Sequence, residues 1–308
     1  MRTTPSCTTS VVTRRLHSHS ECGQSDRVPL HFREVVDHPL FSAEPFRWRM
    51  GTRSLVAQQW LQSDDRRAAD LAEKDRLTEQ HRGLTFVSQP GSEAAGTEVF
   101  DLVCEELTRD GHSPRRERAH PLENSGLSVQ EDLCLMEATE LGWVLTAGSV
   151  CFPTRWDLPS KLGRSLTQIH SPVPGYEEQL GRRVERFFDR MAAGSLAYRL
   201  NWSLVGDSAR RLDATRQAPM TMPCDPGEDL FLRVERQTLR RLKHHDAVVF
   251  GIRIHVWSLA EVVQECSPDL LANELETMPV DVVRYKNLDG MSADLVAWLR
   301  RSEPRSRG

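Results

Sequence analysis

The stretch SLAYRLNWSLV at residues 195–205 decides the fold class. Apolar and polar residues alternate along it without a break. The apolar set is Leu196, Tyr198, Leu200, Trp202 and Leu204, and the polar set is Arg199, Asn201 and Ser203. Successive side chains of a β-strand point to opposite faces, so the alternation predicts a strand with one buried face. The fold therefore contains a sheet packed against a core.

Four further runs extend this sheet. DLFLRVERQTL at 229–239 and AVVFGIRIHVWS at 247–258 are rich in the β-branched and aromatic residues typical of strands. The short turn around HHD at 244–246 predicts that they form an antiparallel hairpin. Upstream, VQEDLCLM at 129–136 and WVLTAGSVCFP at 143–153 predict two more strands.

Apolar residues at helical spacing predict helices around these strands. Two candidates, 54–82 and 93–107, precede the sheet, and 160–169 and 176–191 lie between its second and third predicted strands. Helical spacing returns from residue 260 onward. Helices inserted once into an otherwise antiparallel sheet predict an α+β fold with helices on one face, flanked by N- and C-terminal helices.

The chain divides by composition into four segments. Residues 1–27 are rich in Ser, Thr, Arg and His, so we expect a disordered leader. An N-terminal helical segment at 28–128, a core with the sheet at 129–257, and C-terminal helices with a charged tail at 258–308 follow. The alternative is one integrated domain over 28–302.

The composition excludes several classes of function. A net charge of -4 over 308 residues gives no basic footprint for nucleic acid. No apolar run reaches the roughly 18 to 20 residues of a membrane-spanning helix, and the N-terminal residues lack the apolar core of a secretory signal. We therefore expect a cytoplasmic protein with no nucleic-acid or membrane partner. Its seven scattered cysteines predict reduced thiols, and Cys151, in an apolar run, is interpreted as a core residue.

Common catalytic motifs are also missing. The sequence contains no G-x-x-x-x-G-K-[ST], no G-x-G-x-x-G after a strand, no G-x-S-x-G and no H-E-x-x-H. The sequence therefore does not support nucleotide binding through such loops, nor the common hydrolase mechanisms.

His170 is the first candidate for chemistry. It ends the predicted helix 160–169, and Pro172 disfavours helical geometry at the residue before it. The imidazole direction is therefore well fixed, as a metal ligand requires. A histidine that caps the helix or satisfies a buried hydrogen bond fits the same spacing.

Polar residues on the predicted strands are the second candidates. Arg233, Glu235 and Gln237 share one face with Phe231, whereas Arg236 lies on the other. Arg253 and His255 share a face of the next strand, and Gln130, Glu131 and Asp132 come at a strand start. Charges inside a sheet are rare unless they are paired or functional. A solvated face or a structural Arg–Glu pair is the alternative.

Five longer motifs resemble the haem-dependent oxidative N-demethylase family, relatives of the catalytic alpha subunit of dimethylamine monooxygenase-like proteins. They are FRWRMGTRSL, HPLENSGLSVQEDLCLM, CFPTRWDLPSKLGRSLTQIHSPVPGYEEQLGRRVERFFDRM, YRLNWSLV and LFLRVERQTLRRL. The similarity runs from about residue 45 to 299. It implies a PAS-like haem-binding core over 129–257, with haem b held between a helical layer and the sheet.

The resemblance also implies roles for individual residues. His170 is expected as the axial iron ligand. Hydrogen-bond donors on the opposite side of the haem would come from the sheet, where the candidates are Arg199, Arg233 and Arg253. The candidates that would bind the ammonium of a small amine are Glu235 and Glu131, and those that would pair with the haem propionates are Lys161, Arg155 and Arg164.

The implied reaction is the oxidation of a small secondary amine such as dimethylamine by haem and dioxygen, with release of formaldehyde. Electrons from NAD(P)H would arrive through flavin and iron–sulfur partner subunits, because the chain has neither nucleotide fingerprint nor cluster motif. A folate-binding partner would capture the formaldehyde. The alternative function is a non-catalytic PAS-type haem sensor that binds a gas.

Overall fold

A seven-stranded antiparallel sheet forms the centre of the protein, which a computed structural model describes for residues 32–37, 40–214 and 219–302. The predicted leader at 1–27 lies outside the described residues. The strands are β1 Arg53–Ser54, β2 Phe86–Ser88, β3 Asp132–Thr139, β4 Gly142–Ser149, β5 Leu196–Val205, β6 Phe231–Arg241 and β7 Ala247–Ser258. Their order across the sheet is β1-β5-β6-β7-β3-β4-β2.

Helices surround this sheet and come before, between and after its main strands. They are α1 Phe32–Val35, α2 Arg67–Thr85, α3 Glu93–Arg109, α4 Pro121–Ser128, α5 Leu166–Ile169, α6 Arg182–Arg190, α7 Pro226–Asp229, α8 Leu259–Glu265, α9 Pro268–Glu276, α10 Val280–Tyr285 and α11 Ser292–Arg301. A π-helical turn, Glu177–Gly181, runs directly into α6. Within the described ranges, no helix has the length and apolar character needed to cross a membrane.

The mixed class, the antiparallel sheet and all five predicted strands are confirmed, with ends displaced by up to four residues. The helix predicted at 54–82 begins only at Arg67, because its first residues form edge strand β1 and a 3-10 turn, Ala57–Gln59. The helix predicted at 160–169 is two separate turns, since Gly163 adopts a left-handed φ of 75° between them.

The register between the strands assigns their side chains to two faces. We define the front face by Arg199, Asn201, Glu235 and Gln237, and the back face by residues that alternate with them, such as Trp202 and Arg253. Asn201 lies opposite Glu235 and Arg199 opposite Gln237, so the polar residues of β5 and β6 meet on the front face. The helices α5 and α6 pack against this face.

The flanking helices cover the back face. Apolar side chains of β5 and β6 pack there against α8, α9 and α11, while those of β3 and β7 pack against α3. The helices thus occupy both faces of the sheet. The expectation of helices on one face holds only for the segment inserted between β4 and β5.

A buried ion-pair network fastens α2 and the loop before it to the back face. Arg253 is fully buried, and its guanidinium pairs with Asp64 at 2.7 Å and Asp70 at 3.3 Å. The Gln130 amide donates to both carboxylates, at 2.8 and 2.7 Å. Low-dielectric surroundings make such charges stable only while each keeps its partners.

Removing one partner should therefore be costly. Asp64→Ala should lower the free energy of unfolding in urea by about 3 kcal/mol, because it leaves Arg253 with half of its compensating charge. Asp269→Ala is the matched control, since Asp269 pairs at 2.9 Å with the exposed Arg300 and should contribute at most about 1 kcal/mol. Equal unfolding midpoints for the two variants would contradict the assignment.

Candidate functional site

A cavity of about 410 Å³ lies between the front face of the sheet and the layer of α5 and α6. This volume is in the range of cofactor and small-molecule sites. Most of the wall is apolar. The apolar lining includes Met136, Leu145, Leu166, Ile169, Leu180, Val184, Phe187, Phe188, Leu239, Phe250 and Ile252. A few polar side chains enter it from opposite sides.

His170 enters the cavity from the helical layer. Ser165 and Gln168 form a capping box that starts α5, and His170 ends this single turn. The imidazole Nδ1 lies 2.8 Å from the carbonyl oxygen of Leu166. The ring also stacks on Tyr176, with centroids 4.4 Å apart. Both contacts fix the ring, and among the described residues Nε2 has no hydrogen-bond partner.

The protonation state of His170 suits metal binding. Burial lowers the pKa of His170, the contact with the Leu166 carbonyl opposes this shift, and the positive charges of Arg199 and Lys161 add to it. The imidazole is therefore neutral at pH 7. A neutral ring whose Nδ1–H is held by a carbonyl presents the Nε2 lone pair to a metal.

Glu235 enters the cavity from β6 on the other side. Its Oε1 accepts a hydrogen bond from the Thr154 hydroxyl. Its Oε2 accepts from the amides of Gln237 at 2.7 Å and Asn201 at 3.3 Å. Three donors hold the carboxylate in one orientation against the front face, so it is a fixed negative charge at the cavity wall.

Two cations share this side of the cavity. Burial lowers the pKa of Arg199, an effect that the nearby Glu235 opposes, and its Nε is buried without a partner among the described residues. Lys286, from the end of α10, donates to the Trp202 carbonyl at 2.7 Å and lies 4.4 Å from that indole ring. Burial lowers the pKa of Lys286 to about 8, while Glu235 and Glu274 oppose the shift.

Two more cationic side chains, Lys161 and Arg155, line the cavity. Lys161 lines the cavity and donates to the carbonyl of Ile169 at 3.0 Å. Arg155 also lines it, with a left-handed φ of 59° and a buried Nε that has no partner in the part of the chain described. Burial lowers the pKa of both side chains. These donors are available for an anionic group.

Five of the nine predicted site residues thus meet in one cavity. These are His170, Lys161, Arg155, Arg199 and Glu235. Arg233 lies on the same face but outside the cavity lining. Its guanidinium donates hydrogen bonds to the Thr154 hydroxyl and to the carbonyl oxygens of Phe152, Ala209 and Arg210. It holds Thr154, which in turn donates to Glu235, so it is a positioning residue.

The other three predicted residues are not brought to the cavity. Arg253 lies on the back face, because the register sets its neighbour Ile252 against the front-face Gln237. Glu131 also lies toward the back face, where its Oε1 accepts a hydrogen bond from the backbone N–H of Gln62 at 2.8 Å and burial raises its pKa. Arg164 is exposed to solvent. These placements do not support the roles expected for the three residues, which were hydrogen-bond donation opposite the axial ligand for Arg253, amine binding for Glu131 and propionate pairing for Arg164.

Four residues that line the cavity were not among the site residues predicted from the sequence. Lys286 and Tyr285 come from a helix more than 50 residues after β5, and no local pattern connects them to the sheet. Thr154 follows the run 143–153, and Asn201 was interpreted only as part of the polar face of β5. The alternation in 195–205 places Asn201 on the polar face of β5. The approach of Lys286, Tyr285 and Thr154 to the cavity depends on long-range packing, which leaves no local pattern in the sequence.

A protein-family model described as haem-dependent oxidative N-demethylase, alpha subunit-like, matches residues 110–296. The chain belongs to this family. The match spans more than half of the chain and includes β3 to β7, α5, α6 and most of the cavity wall. The family description indicates haem dependence and oxidative N-demethylase activity, and the term alpha subunit implies a multi-subunit assembly.

The residues of the cavity fit a haem. One fixed, neutral histidine offers Nε2 as an iron ligand, and the largely apolar walls suit a macrocycle. Lys161 and Arg155 carry positive charge that complements propionates, and the orphaned Arg155 Nε supplies a buried donor. Cys151, by contrast, is buried outside the cavity lining with its pKa raised by burial to about 12, in agreement with its interpretation as a core residue.

The lowered pKa of His170 predicts a pH effect on the apoprotein. As pH falls below about 6.5, the unfolded chain protonates this imidazole before the folded chain does, so folding stability decreases. His170→Gln removes this contribution. Its free energy of unfolding in urea should therefore decrease less than that of wild type when the pH is lowered from 7.5 to 5.5. His244→Gln, at an exposed position, should follow wild type, and parallel pH profiles for all three proteins would contradict the prediction.

Proposed function

We propose that the protein oxidatively demethylates a small secondary amine of the dimethylamine type, using haem b and dioxygen. In balanced form, dimethylamine, dioxygen, two electrons and two protons give methylamine, formaldehyde and water. One observation carries the proposal: His170 offers an Nε2 with no partner among the described residues to an apolar cavity, and Glu235 and Arg199 enter this cavity from the sheet. The family membership supports the same chemistry.

The strand order supports the PAS-like description of the core. Two strands, β3 and β4, precede the inserted helices, and β5, β6 and β7 follow them. The last of the five, β7, lies at the centre and pairs with the first, β3, and the helical insertion covers one face. In this arrangement a ligand lies between helices and sheet, which is where the cavity is found.

His170 would hold the haem iron through Nε2, with Lys161 and Arg155 beside the propionates. Haem supplies the activation of dioxygen and the electron-transfer chemistry that amino-acid side chains lack. The contact between His170 Nδ1 and the Leu166 carbonyl fixes the tautomer and raises the basicity of the ligand.

Glu235 and Arg199 would act on the substrate side. The Glu235 carboxylate, held by Thr154, Gln237 and Asn201, would bind the amine and accept its proton. The buried Nε–H of Arg199, which has no partner in the described part of the chain, can donate to a polar oxygen in the cavity. Arg233 acts through Thr154 and keeps the carboxylate aimed at the cavity.

Electrons would come from NAD(P)H through flavin and iron–sulfur partner subunits, and a folate-binding partner would take up the formaldehyde. The alpha-subunit description supports separate partner chains. Dioxygen and the amine reach the cavity as small molecules.

Haem binding is the first test. Purified wild-type protein with added haemin should show a Soret band, and His170→Ala should abolish it or shift it strongly, because the only proposed axial ligand is lost. His244→Ala is the control at an exposed position. An unchanged Soret band in His170→Ala would refute the ligand assignment, and a wild-type protein without any band would refute the haem function.

Turnover is the second test. Glu235→Gln preserves the shape of the side chain but removes its charge, so formaldehyde release from dimethylamine under an artificial electron supply should fall about 100-fold or more. The haem spectrum should persist. Glu137→Gln, on β3 outside the cavity lining, should retain activity. Haem-loaded wild-type protein that releases no formaldehyde from any small methylamine would favour the sensor alternative.

A further inference from the structure

Basic side chains outnumber acidic ones in the wall of the cavity. Four cationic residues line it, Arg155, Lys161, Arg199 and Lys286, whereas Glu235 is the only carboxylate that the described residues contribute to the lining. In the proposed function, Lys161 and Arg155 pair with the haem propionates. Arg199 and Lys286 remain, and together they carry one positive charge more than Glu235 can balance.

Lys286 keeps hydrogen-bond donors that the protein does not use. Its ammonium donates to the carbonyl of Trp202 at 2.7 Å and lies 4.4 Å from the ring of Trp202 and 6.0 Å from that of Trp48. Within the described ranges, no carboxylate lies at ion-pairing distance from it. An ammonium has three N–H groups, so donors remain for a ligand in the cavity.

Arg199 is the second cation without a carboxylate partner in the part of the chain described. Its Nη2 donates to the backbone carbonyl of Arg49 at 3.3 Å, whereas its Nε is buried with no acceptor among these residues. A buried donor without an acceptor is unfavourable. This guanidinium is therefore suited to an acceptor that a ligand brings.

The nearby carboxylates do not occupy these two cations. Glu235 accepts its hydrogen bonds from uncharged groups, and no ion pair among the described residues joins it to Arg199 or Lys286. Glu274 lies outside the cavity lining, where its Oε2 accepts a hydrogen bond from the backbone N–H of Ser42 at 3.3 Å. Both cations can therefore bind an anion inside the cavity.

The strand register sets these cations beside Glu235. Asn201 lies opposite Glu235, and Arg199 is one step of about 7 Å from Asn201 along the same face of β5. Lys286 reaches β5 next to Asn201, at the carbonyl of Trp202. An α-amino acid carries its ammonium and its carboxylate on one carbon atom. One such molecule can thus contact Glu235 and a neighbouring cation together.

We propose that the amine oxidised in this cavity is an N-methyl amino acid, with its ammonium on Glu235 and its carboxylate on Lys286 and Arg199. The inference rests on the proposed function and names its substrate class. With dimethylammonium bound, three positive charges would share one carboxylate. The zwitterion brings two charges of each sign together, which a buried site favours.

The reaction balances as it does for dimethylamine. With N-methylglycine (sarcosine), the substrate, dioxygen, two electrons and two protons give glycine, formaldehyde and water. The bond between the nitrogen and the methyl carbon breaks, and the methyl carbon is oxidised to formaldehyde. One oxygen atom of dioxygen enters formaldehyde and the other leaves as water.

The first test compares sarcosine with sarcosinamide, in which a neutral amide replaces the carboxylate. Formaldehyde release is measured with the haem-loaded wild-type protein under an artificial electron supply. The kcat/KM for sarcosine should exceed those for sarcosinamide and dimethylamine about tenfold or more, because only sarcosine offers a carboxylate to the two cations. This comparison needs no substitution in the protein.

The second test removes one of the cations. Lys286→Met keeps an unbranched side chain but loses the charge, so its preference for sarcosine over sarcosinamide should fall about tenfold. Lys243→Met is the matched control, because Lys243 is exposed beside the turn between β6 and β7. The control should keep the wild-type preference.

Calorimetry gives a readout that does not depend on turnover. Without an electron supply, the haemin-loaded wild-type protein should bind sarcosine about tenfold more tightly than sarcosinamide, and Lys286→Met should lose most of this difference. The same titrations on the haem-free protein test the carboxylate contacts even if no haem binds.

Equal kcat/KM and Kd values for sarcosine and sarcosinamide in the wild-type protein would overturn the inference, as would an unchanged preference in Lys286→Met. Failure of the proposed function looks different, since it would appear as a missing Soret band or as no formaldehyde from any of the three amines.

Discussion

The register of three neighbouring strands is the constraint on which the site depends. Because β5 and β6 pair with Asn201 opposite Glu235, and β6 and β7 pair with Gln237 opposite Ile252, one face collects the polar residues that line the cavity. A shift by one residue would bring Arg236 and Arg253 to the cavity and send Glu235 to the back. The chemistry of the cavity is therefore a consequence of strand pairing.

Two buried polar systems, one on each face, make this register costly to change. On the back face, Arg253 keeps its ion pairs with Asp64 and Asp70, and on the front face Arg233 donates to Thr154 and to carbonyl oxygens. A slip of β6 would separate Arg233 from its partners, and a slip of β7 would separate Arg253 from its own. Charges inside a sheet are unfavourable unless they are paired, and here the paired arginines hold the sheet in the arrangement that forms the site.

Much of this arrangement was predictable from the sequence, and the remainder depends on long-range packing. Alternation in 195–205 and 229–239 identified the strands and grouped Arg233, Glu235 and Gln237 on one face, and the resemblance singled out His170. The pattern within β7 grouped Arg253 with His255 but could not say whether they lie on the same face as Glu235, since that depends on pairing between strands. Lys286 approaches from α10 through tertiary contacts that leave no local signal.

We propose above all that the cavity holds a haem through His170. It is tested most directly by a crystal structure of the haemin-reconstituted protein, with the iron located by its anomalous scattering. The account predicts a single iron peak within bonding distance of His170 Nε2, between α5 and the front face of the sheet. An iron peak bound to another residue, or outside this cavity, would contradict it.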